Sequence, residues 1–154
     1  MLEVQAKLRW SSELKFNAEV APGRSLELNS AKEMGKAFTP MELFLIALAG
    51  CTAMDVQWIM SRERQEVDRF EISIKGKRRE EDPQYYETID LEYIIGGRNV
   101  TKNAVERAIR LSQEKYCSVH AMLKSNVRLN VTYTILGNQG SGQRFTYTPS
   151  ANAT

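Results

Sequence analysis

The sequence predicts an α+β fold in which runs of strands are separated by helices. Apolar and polar residues alternate over residues 2–28, and the alternation returns near residues 70–74, 89–95 and 127–135. A long apolar stretch from Leu43 to Met60 predicts a central helix. Strands joined largely by hairpins indicate antiparallel sheets around a buried central helix, not a doubly wound parallel sheet.

The first three strands are predicted from the period of two. Leu2, Val4, Ala6, Leu8 and Trp10 share one face of a half-buried strand, whose other face is polar. Residues 14–20 repeat the pattern after the Ser11-Ser12 connection. The Pro22-Gly23 turn then leads into a short third strand around residues 25–28. An antiparallel meander therefore opens the fold.

The central helix is predicted to run from about Met41 to Arg62, with Thr39 as its cap and Pro40 in its first turn. Its apolar character on nearly every side suits either a buried helix or a membrane span. We favour burial, because Asp55 lies inside the stretch and an ionised carboxylate near a bilayer centre is costly. One antiparallel sheet covers one side of such a helix, so we expect a homodimer to cover the other.

The second half of the chain is predicted to continue with a long hairpin that ends at Gly96-Gly97. A helix over about 101–116, a shorter helix over 118–124 and a final strand over 127–135 follow. We therefore expect one domain over residues 1–137. Residues 138–154 are rich in Gly, Ser, Asn, Gln and Thr and are predicted to be a flexible tail.

The composition excludes several function classes. The 154 residues are 42% hydrophobic and 26% charged, which is typical of one globular domain. Twenty-one Lys and Arg against 19 Asp and Glu give a net charge of +2, too small for the phosphate binding of a nucleic-acid protein. The first ten residues lack the apolar core of a signal peptide, so we expect a cytoplasmic protein with no membrane partner.

Cys51 and Cys117 are the two cysteines, and both are candidates for redox chemistry. Cys117 is predicted at a helix N-terminus, where unpaired amides lower a thiol pKa. Cys51 has no such neighbour, and Asp55 one turn later would oppose a thiolate. Two interpretations compete with redox chemistry. In the first, both are ordinary buried cysteines, and in the second, Cys51, Cys117 and His120 share a metal.

Two sequence blocks resemble a known family. Residues 40–56, PMELFLIALAGCTAMDV, together with 114–119, EKYCSV, resemble the OsmC and Ohr family of osmotically inducible and organic hydroperoxide resistance proteins. The order of strands and helices is similar from about residue 2 to 136. The resemblance implies an intertwined homodimer and a thiol-dependent peroxidase that reduces organic, and also inorganic, hydroperoxides without a cofactor or metal.

The resemblance also implies roles for individual residues. Cys51 matches the position that forms the sulfenic acid, and Cys117 matches the cysteine that resolves it to a disulfide, which an external dithiol of lipoyl type then reduces. Arg9 is the first choice for the activating arginine and Arg24 the second. Glu42 is expected to pair with the arginine, although Met41 displaces it by one residue, about 100° around the helix.

An apolar substrate pocket is expected beside Cys51, and each of its residues has core packing as the simpler explanation. Its predicted lining is Leu43, Phe44, Ala47, Met54 and Trp58. The alternative function is a non-enzymatic dimer that binds a small apolar or thiol-containing ligand, or senses redox state. The retained cysteine pair favours the enzyme, and the altered Arg and Glu positions favour the alternative.

Overall fold

The computed structural model describes residues 3–21, 23–30, 37–123, 125–137 and 141–149. The chain divides into two compact units, residues 1–44 and 45–154. The first unit holds a three-stranded antiparallel sheet of β1 (Ala6–Ser12), β2 (Lys15–Val20) and β3 (Arg24–Asn29). This confirms the predicted meander. The expectation of a half-buried first strand is wrong for the single chain, in which β1 is exposed at every position.

The long helix α1 (Pro40–Arg62) begins in the first unit and continues into the second. Thr39 and Glu42 form a capping box at its start, which explains why the helix begins there. Its length and hydropathy alone would suit a membrane span. Six residues nevertheless face inward: Leu48, Ala49, Thr52, Val56, Ile59 and Met60.

The two sides of α1 differ in burial within the single chain. One side of the helix packs inward, whereas Ile46, Met54 and Trp58 on the other side are exposed. Met54 follows Ile46 by eight positions and Trp58 follows Met54 by four, which are spacings of one helix face, so the exposed positions form one apolar stripe. Among the described residues of the second unit, α1 therefore packs on one side and leaves this stripe exposed.

The second unit is built on a four-stranded sheet in the order β4 (Glu66–Arg78), β5 (Tyr86–Arg98), β6 (Arg128–Leu136) and β7 (Gly142–Tyr147). The β4–β5 and β6–β7 pairs are antiparallel, but β5 and β6 are parallel. The expectation of purely antiparallel sheets is therefore wrong here. Helices lie between β5 and β6 and supply the crossover that parallel neighbours require.

Two boundaries of the sheet differ from the prediction. The strand β5 does not end at Gly96-Gly97 as predicted but continues through both glycines. Gly97 pairs with Val67 of β4, has a φ of +148° and lies next to a register shift in β4. The part of the predicted tail from Gly142 to Tyr147 is the ordered strand β7, because Phe145 and Tyr147 pack toward the core. Residues 138–140 and 150–154 of that prediction lie outside the described residues.

The connection between β5 and β6 contains α2 (Lys102–Leu111), a π-helical segment (Ser112–Tyr116) and α3 (Ser118–Ala121). One continuous helix over 101–116 was predicted, so its final turn is wider than expected. The core of the unit lies between the sheet and the inner faces of α1 and α2. Its buried members are Val56, Ile59, Met60, Leu91, Tyr93, Ile95, Ala104, Val105, Ala108, Ile109, Val131, Tyr133 and Tyr147.

Candidate functional site

Cys51 lies on α1 at the border between its buried and exposed sides. Thr52, the next residue, is buried, while Met54, three positions on, is 75% exposed. Cys51 itself is half-buried and has a free thiol. Cys51 thus lies between the buried and the exposed positions of the helix.

Cys117 is held by the end of the crossover connection. Its backbone N–H donates a 2.8 Å hydrogen bond to the carbonyl of Ser112, which closes the π-helical segment. Its side chain caps α3, since Sγ accepts the backbone N–H of His120 at 3.3 Å. Cys117 is 3% exposed. Single π-helical turns are frequent at functional sites, and this one sets the direction in which Cys117 leaves α2.

The fold brings three reactive side chains together. The Sγ atoms of Cys51 and Cys117 and a carboxylate oxygen of Asp55 all lie within 4.8 Å of one another. Both thiols are free. A disulfide has an S–S length of about 2.05 Å, so the sulfurs need to approach by less than about 3 Å to bond. The two cysteines that lie 66 positions apart in the sequence therefore share one site.

A buried chain of hydroxyl groups supports Asp55. The Ser112 hydroxyl donates a 3.0 Å hydrogen bond to Oδ2 of Asp55, and its oxygen lies 3.0 Å from Oγ1 of Thr52. Thr52 in turn hydrogen-bonds the hydroxyl of Tyr93 at 2.5 Å. Since the Ser112 hydroxyl donates its hydrogen bond to the carboxylate, it accepts a hydrogen bond from Thr52. Thr52 in turn accepts one from Tyr93. The chain runs from the sheet to the carboxylate beside the two sulfurs.

The Cys117 thiol is not activated as the sequence predicted. Burial, with smaller contributions from the neighbouring Cys51 and Asp55, raises its pKa to about 12. The hydrogen bond from the His120 amide lowers the pKa, as expected for a thiol at a helix N-terminus, but desolvation outweighs it. Cys117 is therefore protonated at neutral pH.

Arg9 and Glu42 belong to the first unit, whereas the two cysteines belong to the second. Arg9 projects from β1 and pairs with Glu19 at 2.7 Å. Glu42 accepts hydrogen bonds from the backbone amide and the hydroxyl of Thr39 at 2.7 and 3.0 Å. These two bonds lower the pKa of the Glu42 carboxyl. The structure thus gives both residues local partners within the first unit.

The predicted pocket residues separate by position along α1. Leu43 and Phe44 are half-buried at the start of the helix. Ala47, Met54 and Trp58 are exposed, and they lie four, three and seven positions from Cys51, which places them on its side of the helix. Trp58 makes an edge-on contact with Tyr116 at 5.7 Å between ring centroids. An aromatic pair therefore joins α1 to the residue before Cys117.

Several residues that the structure places at or near the site were not identified from the sequence. Thr52, Ser112 and Tyr93 carry single hydroxyl groups on otherwise apolar faces, and only a fold that brings them together identifies the chain they form. Arg62 was also missed; its guanidinium lies 5.4 Å from the centroid of the Trp58 ring. Of the predicted metal ligands, Cys51 and Cys117 come together with Asp55. The Nδ1 atom of His120 instead lies 2.9 Å from the carbonyl of Gln113.

Comparison with known proteins places this site in a family. A family model described as OsmC-like protein matches residues 33–132. Protein YhfA of Escherichia coli strain K12 is 39% identical over 133 residues, which cover 86% of this chain and 98% of that protein.

Solved structures share the fold of this chain. A hypothetical protein from Aquifex aeolicus VF5 is 37% identical with a TM-score of 0.79, over 88% of this chain and 97% of that one. An organic hydroperoxide resistance protein from Elizabethkingia anophelis shares the fold at 15% identity and a TM-score of 0.67, over 86% and 96% of the chains. The family model spans most of the described chain and includes both cysteines, so this protein belongs to the OsmC-like family.

Proposed function

We propose that this protein is a thiol-dependent peroxidase that reduces organic hydroperoxides, and also inorganic peroxide, through Cys51 and Cys117. The single observation that carries the proposal is the proximity of the two free sulfurs, which lie within 4.8 Å of each other. Solved proteins of the same fold are named organic hydroperoxide resistance proteins, which supports the same class of substrate.

The difference in burial supports different steps for the two cysteines. Cys51 is half-buried and can meet a substrate, whereas Cys117 is buried and its thiol has a raised pKa. The Cys51 thiolate attacks the O–O bond and takes one oxygen as a sulfenic acid, and the other oxygen leaves as an alcohol after protonation. The Cys117 thiol then condenses with the sulfenic acid, which forms the disulfide and releases water.

An external dithiol completes the cycle. Its thiolate attacks the Cys51–Cys117 disulfide, and a second exchange leaves both protein thiols reduced and the reductant oxidised. We propose a lipoyl-type dithiol for this step. The exposed apolar stripe of α1, with Ile46, Met54 and Trp58, suits a second copy of the chain, so the proposed enzyme is a cytoplasmic homodimer.

The remaining roles extend this proposal to the first unit. Arg9 is the proposed activating guanidinium, with Glu42 as its carboxylate, and Leu43, Phe44, Ala47, Met54 and Trp58 are the proposed contacts of the alkyl group. For this role Arg9 must leave Glu19, its present partner. An exposed ion pair is worth about 1 kcal/mol or less, so this exchange is energetically accessible.

A second candidate function is a dimer that binds a small apolar or thiol-containing ligand, or senses redox state. The carboxylate of Asp55 beside both sulfurs favours it, because a negative charge there disfavours a reactive thiolate. In this case the cysteines would oxidise slowly and would not turn over. Steady-state turnover therefore separates the two functions.

The test is consumption of cumene hydroperoxide with excess dihydrolipoate. The wild-type protein is expected to turn over many times, and Cys51→Ser is expected to lose turnover entirely. In the absence of the dithiol, Cys117→Ser should reduce one equivalent of hydroperoxide and retain a sulfenic acid that a dimedone probe captures. Ala53→Ser, on the same helix, is the matched control and should retain wild-type turnover. Wild-type turnover in Cys51→Ser would refute the assigned role.

A further inference from the structure

We propose that the reduced site is also a binding site for a thiophilic divalent cation, with Zn²⁺ as the expected class. Cys51, Asp55 and Cys117 would supply its ligands. The proposal stands on the convergence of these three donor atoms, all within 4.8 Å of one another. It holds whether or not the site reduces peroxides.

The geometry is close to that of a tetrahedral site. With Zn–S distances of about 2.3 Å and Zn–O distances of about 2.0–2.2 Å, neighbouring ligand atoms lie roughly 3.6–3.8 Å apart. The three donors therefore need to approach by about 1 Å at most. Cys51 and Asp55 are one turn apart on α1 and so can reach one point from the same face. Cys117 supplies the third donor from the end of the crossover connection.

Outer hydrogen bonds already orient two of the ligands. Asp55 accepts the Ser112 hydroxyl at 3.0 Å, and Ser112 is held in turn by Thr52. Cys117 accepts the His120 amide at 3.3 Å. Metal ligands are commonly fixed by such second contacts, which reduce the ordering needed when the ion binds.

The charges of the site favour a cation. A carboxylate and two thiols that lose their protons on binding carry up to three negative charges, which a divalent ion offsets at one point. Two soft thiolates select Zn²⁺ or Cd²⁺ over Mg²⁺ or Ca²⁺. Because Cys51 and Asp55 are half-buried, the fourth position faces the open side of the site, where water can complete the coordination.

The same sulfurs serve the proposed peroxidase, so the two activities exclude each other. A bound ion occupies the Cys51 sulfur and blocks its attack on a hydroperoxide. Formation of the Cys51–Cys117 disulfide consumes both sulfur ligands and releases the ion. The dithiol state would thus bind metal and the disulfide state would not. This consequence rests on the proposed function, whereas the metal site does not.

The test uses reduced, metal-free, full-length protein. Cd²⁺ titration should develop a thiolate-to-metal absorption band that saturates at one ion per chain, and chelator competition then gives the Zn²⁺ affinity. Cys51→Ser and Cys117→Ser are expected to lose the band. Asp55→Asn should keep two sulfurs but bind Zn²⁺ at least about tenfold more weakly. Asp68→Asn, an exposed carboxylate in β4, is the matched control and should bind as the wild type does.

Three results would overturn the proposal: no thiolate band in the wild type, an unchanged band in Cys51→Ser, or wild-type Zn²⁺ affinity in Asp55→Asn. Thermal unfolding of each variant establishes that it is folded. If a cysteine variant does not fold, the Zn²⁺ affinity of Asp55→Asn still tests the proposal. Peroxide turnover of the metal-free protein is measured separately. Turnover without metal binding refutes only the metal site, and metal binding without turnover refutes only the peroxidase.

Discussion

The Ser112 hydroxyl donates a 3.0 Å hydrogen bond to the carboxylate of Asp55. Ser112 belongs to the π-helical segment and Asp55 to α1, so this bond joins the two parts of the chain that carry the cysteines. Ser112 is fully buried, and Thr52, its other partner, is 3% exposed. If one hydroxyl of this hydrogen-bonded series is removed, its buried neighbour loses a hydrogen-bond partner.

Removal of either hydroxyl is therefore expected to destabilise the protein. Ser112→Ala and Thr52→Val should each lower the free energy of unfolding by about 1–3 kcal/mol, the cost of an unsatisfied buried polar group. Because both belong to one network, the double variant should lose less than the sum. Urea denaturation of the four proteins measures this coupling. Additive losses would show that the hydroxyls act independently.

The ionisation of Cys117 gives a second prediction. Since burial is the largest cause of its raised pKa, Cys117 should remain a thiol at neutral pH when it is the only cysteine left. Thiolate absorbance of Cys51→Ser, followed against pH, measures this directly. A thiolate already formed near pH 7 would contradict the assignment of Cys117 as the resolving cysteine.

The same shift predicts a loss of stability at alkaline pH. Above about pH 9 the unfolded chain releases the Cys117 proton, whereas the folded chain holds it up to about pH 12. The unfolded state then binds fewer protons, so the free energy of unfolding falls as pH rises through this window. The melting temperature of the wild type should fall more steeply above about pH 9 than that of Cys117→Ser. Parallel curves would contradict it.

Glu42 is expected to give stability the opposite dependence on pH. Hydrogen bonds from Thr39 lower the pKa of its carboxyl below the ordinary value of 4.5. Its contribution to stability is complete above that value and is lost as pH falls through the folded-state pKa. Glu42→Gln should lower the melting temperature at neutral pH, and the difference should shrink in acid. Glu87→Gln, an exposed residue of β5, serves as the control and should show neither effect.

The last strand is predicted to contribute to stability. Tyr147 is buried in the core, and Phe145 stacks on Tyr133 with centroids 5.1 Å apart. Tyr147→Ala should lower the free energy of unfolding by about 3 kcal/mol, as for other large aromatic truncations. Thr146→Ala, on the exposed side of β7, should change it by less than about 0.5 kcal/mol. Equal effects would mean that β7 does not pack as described.

The strands and the long helix could be predicted because their apolar residues repeat with a clear period. β7 shows where composition misleads: Phe145 and Tyr147 have the spacing of a strand, but the surrounding Gly, Ser and Thr suggested a tail. The π-helical segment could not be predicted, since Leu111 and the residues after it continue a helical pattern. The parallel pairing of β5 and β6 depends on the path of the crossover, which no local pattern records.

Only part of the candidate site could be predicted from the sequence. Cys51 and Cys117 were identified as a pair through resemblance to a family, and the fold brings their sulfurs together. The hydroxyl chain of Thr52, Ser112 and Tyr93 depends on three separate elements, so no single stretch of sequence indicates it. The raised pKa of Cys117 was missed because a helix N-terminus is visible in the sequence, whereas the desolvation that outweighs it is not.

Peptide mapping after a single oxidation tests the central claim most directly. The reduced protein is treated with one equivalent of cumene hydroperoxide, alkylated and digested without reductant, and the disulfide-linked peptides are identified by mass spectrometry. We predict one product within a single chain, in which the Cys51 peptide is joined to the Cys117 peptide, and a loss of two thiols per chain. Two alkylated cysteines, or a link only between chains, would contradict the account.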